Sequence, residues 1–172
     1  GESYDDSWNT EHAFVWTSSG GTQELGTLPG TTGSAAYGVS ADGSVVVGGA
    51  MNSDWSVDRA FRWTRTGGMQ DLGNLGTGTY SWANAISADG TVIVGGSYLA
   101  GSSGAYHAFR WTSSGGMQDL GALGAGTGSW AYGVSADGST IVGSSYLAGI
   151  SGAYHAFRWT SSSGMQDLGI LG

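Results

Sequence analysis

The segment HAFRWTSSGGMQDLG at residues 107–121 returns almost unchanged as HAFRWTSSSGMQDLG at residues 155–169. Looser copies begin at residues 12 and 59. Self-similarity at a period of about 40–50 residues is typical of stacked or radial repeats, in which one unit is too small to bury its own apolar face. The chain is therefore expected to be an array of one repeated unit. The tryptophans of its four copies are separated by 47, 48 and 48 residues: Trp16, Trp63, Trp111 and Trp159.

Each unit contains four candidate strands, most clearly in its last copy. Asp137-Gly138, between the first two, is the kind of pair that a tight hairpin turn prefers. Glycine recurs every few residues and no 3.6-residue apolar period is present, which disfavours helix. The sequence therefore predicts an all-β fold built from four-stranded antiparallel repeats. The candidate strands of the last copy are AYGVS (131–135), STIVGSS (139–145), AYHAFRWT (153–160) and GMQDLG (164–169).

Four antiparallel strands in a unit of about 48 residues favour a β-propeller blade over the shorter coil of a parallel solenoid. A stack of antiparallel sheets or a solenoid array is the alternative. Residues 1–28 hold only the last two strands of a unit, whereas 29–75, 76–123 and 124–172 are complete units within one repeat domain. An incomplete array is expected to leave an apolar face without a neighbour, so we expect self-association.

Composition excludes several classes of partner. The formal charge is −8, and the five cationic residues are all arginine, so neither nucleic acid nor an anionic membrane surface is an expected partner. No apolar run approaches the ~20 residues of a spanning helix, so this segment is not expected to insert into a membrane. Cysteine is absent, which excludes disulfides and thiolate metal sites.

The strongest charge pattern lies in the third and fourth strands of a unit. Counting inward from the turn between them predicts that arginine and aspartate face each other across the strands. Such pairs would stabilise the sheet rather than act in catalysis. The predicted pairs are Arg62 with Asp71, Arg110 with Asp119, and Arg158 with Asp167.

No motif indicates catalysis or metal binding. The sequence contains no GxSxG nucleophile motif and no conspicuous pair of carboxylates. The three histidines share one repeat position and are expected to be structural. Each Ala-Asp-Gly turn offers one carboxylate, short of the six to eight oxygens that calcium takes. We therefore expect no enzyme, no cofactor and no metal.

Tryptophans outside the strand pattern are the candidate ligand-binding residues. A tryptophan beside carboxylates on a loop is a common way to hold sugar, because the ring stacks on the apolar sugar face while hydroxyls find acceptors. A loop that closes over its own blade, or a contact with another protein, would also explain them. Trp8, Trp55, Asp54 and Asp58 lie in loops that differ between copies, and Trp82 and Trp130 precede the first strand.

The words HAFRWT, GMQDLG and GVSADGSTIVG resemble the HAF repeat, a family of bacterial extracellular repeats found in secreted proteins and autotransporter passengers. His107-Ala108-Phe109 and His155-Ala156-Phe157 match fully, whereas Arg59 replaces the histidine in one copy. The resemblance implies an exported protein, at the cell surface or outside the cell, and brings no catalytic residues. We expect a non-enzymatic binding, adhesion or surface-presentation module for a glycan or a cell-surface protein. A purely structural spacer is the alternative.

Overall fold

The computed structural model describes residues 1–4, 10–54, 56–99, 105–147 and 154–170. The regular structure of these residues is entirely β, in four antiparallel sheets that we number I to IV along the chain. None of the described residues forms a helix that could cross a membrane. Sheet I contains β1 (Glu2–Tyr4), β2 (Glu11–Thr17) and β3 (Gly21–Glu24); sheet II contains β4 (Gly33–Val39), β5 (Val45–Met51), β6 (Asp58–Thr64) and β7 (Gly68–Asp71); sheet III contains β8 (Ser81–Ile86), β9 (Ile93–Tyr98), β10 (Tyr106–Thr112) and β11 (Gly116–Asp119); sheet IV contains β12 (Ser129–Val134), β13 (Thr140–Tyr146), β14 (Tyr154–Thr160) and β15 (Gly164–Gly169).

Sheets II, III and IV are four-stranded meanders in which each strand pairs with the next along the chain. This confirms the predicted all-β repeat of four antiparallel strands. Sheet I differs from the prediction of two strands, because Glu2–Tyr4 pairs with residues 11–13 of β2 as a third strand. The segment Glu2–Tyr4 lacks the apolar run of the second strand in the other units, so the sequence pattern alone could not reveal this third strand.

The hairpin between the first and second strands of each complete unit is closed by its aspartate. Asp137 Oδ1 accepts hydrogen bonds from the Ser135 hydroxyl at 2.5 Å and from the Ser139 amide at 3.0 Å. These hydrogen bonds lower the pKa of Asp137 to about 2. Gly138 follows with φ +71°, a conformation that favours glycine. The acidic turns are thus built into the fold, and Asp42 and Asp89 bond in the same way.

Packing proceeds from each sheet to the next. The first strands β4, β8 and β12 lie against sheets I, II and III respectively. Between sheets II and III, for example, Val47 and Leu72 pack with Phe109 and Trp111 in one apolar cluster. The approach of strands within a sheet is close, since a Cβ atom at Gly95 would lie 1.9 Å from the Trp82 carbonyl oxygen. These positions therefore require glycine.

A buried serine at the start of each first strand ties it to the preceding sheet. The Ser129 hydroxyl accepts a hydrogen bond from the Ala108 amide at 2.8 Å and donates one to the Gly121 carbonyl oxygen. Ser81 bonds in the same way to Ala60 and Gly73, and Ser34 to Ala13 and Gly26. We call this two-bond contact the serine bridge. It satisfies backbone groups that the sheet itself leaves without a partner.

The predicted arginine–aspartate pairs are wrong by one residue. Thr112 pairs with Gly116 across a three-residue turn, and Gly116 has φ +65°. Counting a four-residue turn had placed Arg110 opposite Asp119, but Arg110 faces Gln118 and Asp119 faces Phe109. A slip of one residue moves each side chain to the other face of the sheet. The same register separates Arg62 from Asp71 and Arg158 from Asp167.

The aspartates form hydrogen bonds instead with the residue at the first position of the His-Ala-Phe motif. His107 Nδ1 lies 2.9 Å from Asp119 Oδ1, and His155 Nδ1 lies 2.9 Å from Asp167 Oδ1. Where arginine replaces the histidine, Arg59 Nη1 donates to Asp71 Oδ2 at 2.7 Å. The equivalent contact in sheet I joins His12 to Glu24 at 2.6 Å. The structure therefore places the three histidines in structural pairs at one position of sheets I, III and IV, with Arg59 at that position of sheet II.

Candidate binding site

Seven aromatic side chains form a continuous row across sheets III and IV. Neighbouring rings are separated by 5.1–6.3 Å between centroids. Tyr106 is the centre of the row, because its ring contacts Tyr98, Trp82 and Trp130. We call this feature the aromatic row; its members are Tyr80, Trp82, Tyr98, Tyr106, Trp130, Tyr146 and Tyr154.

Six of the rings lie at the same end of their sheets because of equivalent strand positions, and Tyr80 stands just before β8. The first strand begins there, the second strand ends there, and the third strand begins there. In sheet IV these positions hold Trp130, Tyr146 and Tyr154. Glycine on the preceding sheet makes room for the tryptophan, since a Cβ atom at Gly96 would lie 3.0 Å from Trp130 Cδ1. Trp130 thus spans the junction between sheets III and IV, with Tyr106 on one side and Tyr154 on the other.

Sheet II does not continue the row, because a carboxyl group stands where sheets III and IV have an aromatic ring. Ala35, Met51 and Asp58 occupy the positions of the tryptophan and the two tyrosines. Asp58 Oδ1 is buried, and the described residues offer it no hydrogen-bond partner. Burial, followed by the negative charge of Glu11, raises the pKa of Asp58 to about 7. The backbone of Asp58 forms an isolated parallel β-bridge with the backbone of Tyr80, so this residue adjoins the aromatic row.

The structure brings some of the sequence-predicted ligand residues together and separates others. Trp82 and Trp130 belong to the aromatic row, and Asp58 adjoins its end. Asp54 is engaged within its own loop, where its Oδ1 accepts a hydrogen bond from the Ser56 amide at 3.0 Å. Hydrogen bonds from Ser56 lower the pKa of Asp54. Trp8 and Trp55 lie outside the described residues, so their role stays a prediction.

Sequence analysis missed four of the tyrosines. The words SYLAG and GAYH recur in the last two units and carry Tyr98, Tyr106, Tyr146 and Tyr154. Neither segment is among the ligand-binding candidates predicted from sequence, although tyrosine recurs at both ends of each loop and Tyr154 lies in the predicted third strand. The available sequence signal is the tyrosine at each end of the same loop, because a hairpin places Tyr98 opposite Tyr106 and Tyr146 opposite Tyr154.

A separate apolar groove of about 550 Å³ lies between sheet I and β4. Phe14, Trp16 and Val39 are among the residues that line it. In sheet II the equivalent Trp63 packs against the preceding unit, in a cluster with Ala13 and Leu25, whereas no described sheet precedes sheet I. Trp16 is accordingly 64% exposed and Trp63 only 5%. The exposure of Trp16 therefore follows from its position on the first described sheet.

Comparisons with known proteins show the fold class and no family. No family model matches the sequence, and no curated protein matches it, so membership of the HAF-repeat family stays a prediction. The fold is similar to TolB from Acinetobacter baumannii, with TM-score 0.61 and 17% identity over 98% of this chain and 43% of that one. It is also similar to a putative TolB from Agrobacterium tumefaciens, with TM-score 0.66 and 17% identity over 96% of this chain and 58% of that one. The sheets match propeller blades, and the chain is a partial β-propeller.

Proposed function

We propose that the chain is a non-enzymatic binding module that holds a glycan on the aromatic row. The observation that carries this proposal is the continuity of seven rings along one end of sheets III and IV. Ring centroids 5.1–6.3 Å apart form one apolar surface of tilted and edge-to-face rings, and the phenol hydroxyls of the tyrosines can donate and accept hydrogen bonds. A chain of sugar units presents the same alternation of apolar faces and hydroxyls.

Charge narrows the class of glycan. The chain has a formal charge of −8, and Asp58 stands at the end of the aromatic row. An anionic polysaccharide would be repelled by this charge, so a neutral or amino-sugar glycan fits better. The resemblance to the HAF repeat supports an exported protein that acts at the bacterial surface or outside the cell.

A structural role for the same rings is the second candidate function. Trp130 packs against Gly96 of the preceding sheet, which is the position expected of a side chain that holds two blades together. A module whose aromatic residues all act in this way would be a spacer in a larger surface protein. The two functions differ at the most exposed ring, since Tyr154 is 53% exposed and contributes less to packing.

Titration with soluble neutral and amino-sugar oligosaccharides, followed by tryptophan fluorescence, tests the proposal. A glycan on the row is expected to change the emission of Trp82 and Trp130 in a saturable way. Tyr154→Ala should weaken the apparent affinity by about threefold to tenfold, the loss expected for one stacked ring. Its thermal midpoint should change little, because the side chain is half exposed.

The matched control is Trp16→Ala, which removes an exposed tryptophan outside the aromatic row. This variant should bind glycan as the unaltered chain does. If no oligosaccharide changes the emission, and Trp82→Ala and Trp130→Ala only lower the thermal midpoint, the spacer function is the better explanation.

A further inference from the structure

Sheet IV exposes an apolar face whose equivalent in sheet III is buried by the next sheet of the array. Strands β10 and β14 have the same sequence, YHAFRWT, so their environments can be compared residue by residue. Ala108 is fully buried in β10, whereas Ala156 is exposed in β14. The exposed fraction rises from 0% at Val94 to 45% at Val142 in the second strand. Because the sequences are so similar, the difference comes from what lies against the sheet.

The fourth strand shows the same contrast. Leu120 is 8% exposed in sheet III, and the equivalent Leu168 is 61% exposed in sheet IV. Exposed apolar side chains that form one contiguous surface mark an interaction site more often than single ones do. The open face of sheet IV is defined by Val142, Tyr154, Ala156 and Leu168.

The three internal junctions show what covers such a face. In each of them the first strand of the next unit lies against the sheet, and its buried serine forms the serine bridge. On sheet IV the Ala156 amide and the Gly169 carbonyl oxygen stand at the positions that Ser129 bonds on sheet III. Within the described part of the chain, no serine hydroxyl bonds to either group. The open face therefore lacks the serine-bearing first strand that covers the equivalent face of each preceding sheet.

We propose that the open face of sheet IV is a docking site for the first hairpin of a further repeat unit. The required strand has the pattern Ser-x-Ala, as in Ser34–Ala36, Ser81–Ala83 and Ser129–Ala131, followed by the Ser-Ala-Asp-Gly turn. Serine is needed to bridge Ala156 and Gly169, and alanine is needed because the junction is closely packed. Ala83 and Ala131 are both fully buried at the corresponding junctions.

A whole second copy of the chain does not supply this strand. Its three strands of the required pattern, β4, β8 and β12, already cover their own preceding sheets. Its sheet I has no first strand within the described residues. The proposal therefore commits to an additional repeat unit and extends beyond glycan binding.

A peptide that spans residues 124–147 tests the proposal, because it contains the first two strands of a unit. Fluorescence anisotropy of the labelled peptide is expected to show saturable binding, with one peptide for each chain. Ser129→Ala in the peptide should weaken binding by about fivefold or more, since two backbone groups lose their partner. Ala156→Arg in the chain should abolish binding, whereas Trp16→Ala should leave it unchanged.

A chain extended after Gly172 by a second copy of residues 124–172 provides an independent readout. Hydrogen exchange at the Ala156 amide should slow by at least about tenfold in the extended chain, because that amide gains a buried partner. An extension that carries alanine in place of the bridging serine is the control, and it should protect the amide less. The proposal is wrong if both peptides bind equally, if Ala156→Arg has no effect, or if exchange at Ala156 is the same in all chains. A homodimer that excludes the peptide would assign the face to a second copy instead.

Discussion

Asp58 shows how one substitution between repeat copies creates new chemistry. Its position holds tyrosine in the next two units, where the ring belongs to the aromatic row. The smaller carboxyl group leaves Oδ1 buried and without a hydrogen-bond partner among the described residues. A buried carboxyl group favours its protonated form, and the neighbouring Glu11 adds to this effect, so the pKa rises to about 7.

This pKa predicts a pH dependence of stability. The unfolded chain releases the Asp58 proton near the ordinary value of 3.8, whereas the folded chain keeps it to about 7. The free energy of unfolding should therefore fall as pH rises between these values, and the full penalty is present above pH 7. Asp58→Asn should stabilise the chain by roughly 1–3 kcal/mol at pH 8 and by little at pH 4. Urea unfolding at both pH values measures this, and an equal effect at the two would contradict it.

The histidine–aspartate pairs lead to a second prediction for single residues. Burial raises the pKa of Asp119, but hydrogen bonds from His107 and from the Gly121 amide outweigh burial and leave the pKa lowered. Asp119→Ala should cost about 1–2 kcal/mol, because both donors lose their acceptor. Arg110→Ala should cost less than about 0.5 kcal/mol, as is usual for a partly exposed side chain without a tight partner. Chemical denaturation of the two variants decides between the observed register and the one expected from sequence.

At the scale of strands and turns, the sequence predicted most of the fold and misplaced its details by one residue. The four strands of the last unit were found because apolar words alternate with Asp-Gly and Ser-Gly turns. The pairing of β10 with β11 could not be found, since TSSGGM is compatible with turns of three or four residues and only the conformation of Gly116 decides. The aromatic row was missed for a related reason. Rings on three strands become neighbours only through pairing and through contact between sheets.

The serine bridge makes a prediction for the junction between sheets. Ser129→Ala should destabilise the chain by roughly 1–3 kcal/mol, because the Ala108 amide and the Gly121 carbonyl oxygen stay buried without a partner. Ser113→Ala is the matched control, since Ser113 lies exposed in a turn of the same unit. Thermal unfolding of both variants checks the prediction. Equal midpoints for the two would show that the bridge contributes no net stability.

For the whole molecule, repetition fixed the fold class and left the function open. A period of 47–48 residues was enough to predict blades, and the likeness to TolB supports that architecture. The aromatic row repeats between sheets III and IV and is absent from sheet II, so the candidate site combines repeated positions with one that differs, Asp58. Asp58, Trp82 and Trp130 are among the ligand residues predicted from sequence, and their binding role stays a prediction.

Self-association, expected from the sequence, stays a prediction, and the structure suggests which surface would cause it. In the isolated chain the open face of sheet IV is in contact with water, so two chains should associate weakly through it, at concentrations of roughly tens of micromolar, and the hairpin of a further repeat unit should displace that contact. Leu168→Glu should shift the molecular mass measured by light scattering toward the monomer. Trp16→Glu, at the other end of the array, should leave the mass unchanged, and the reverse result would place the contact at sheet I.

The junctions between sheets also determine the order in which the sheets unfold. Each sheet is held by the sheets before and after it, so its stability is a sum of its own pairing and of nearest-neighbour terms, as in a one-dimensional lattice. Sheets II and III have two such neighbours, whereas sheets I and IV each have one within the described array. Unfolding is therefore expected to start at the two terminal sheets and to travel inward. The chain would then lose the part of the aromatic row on sheet IV while sheets II and III are still folded.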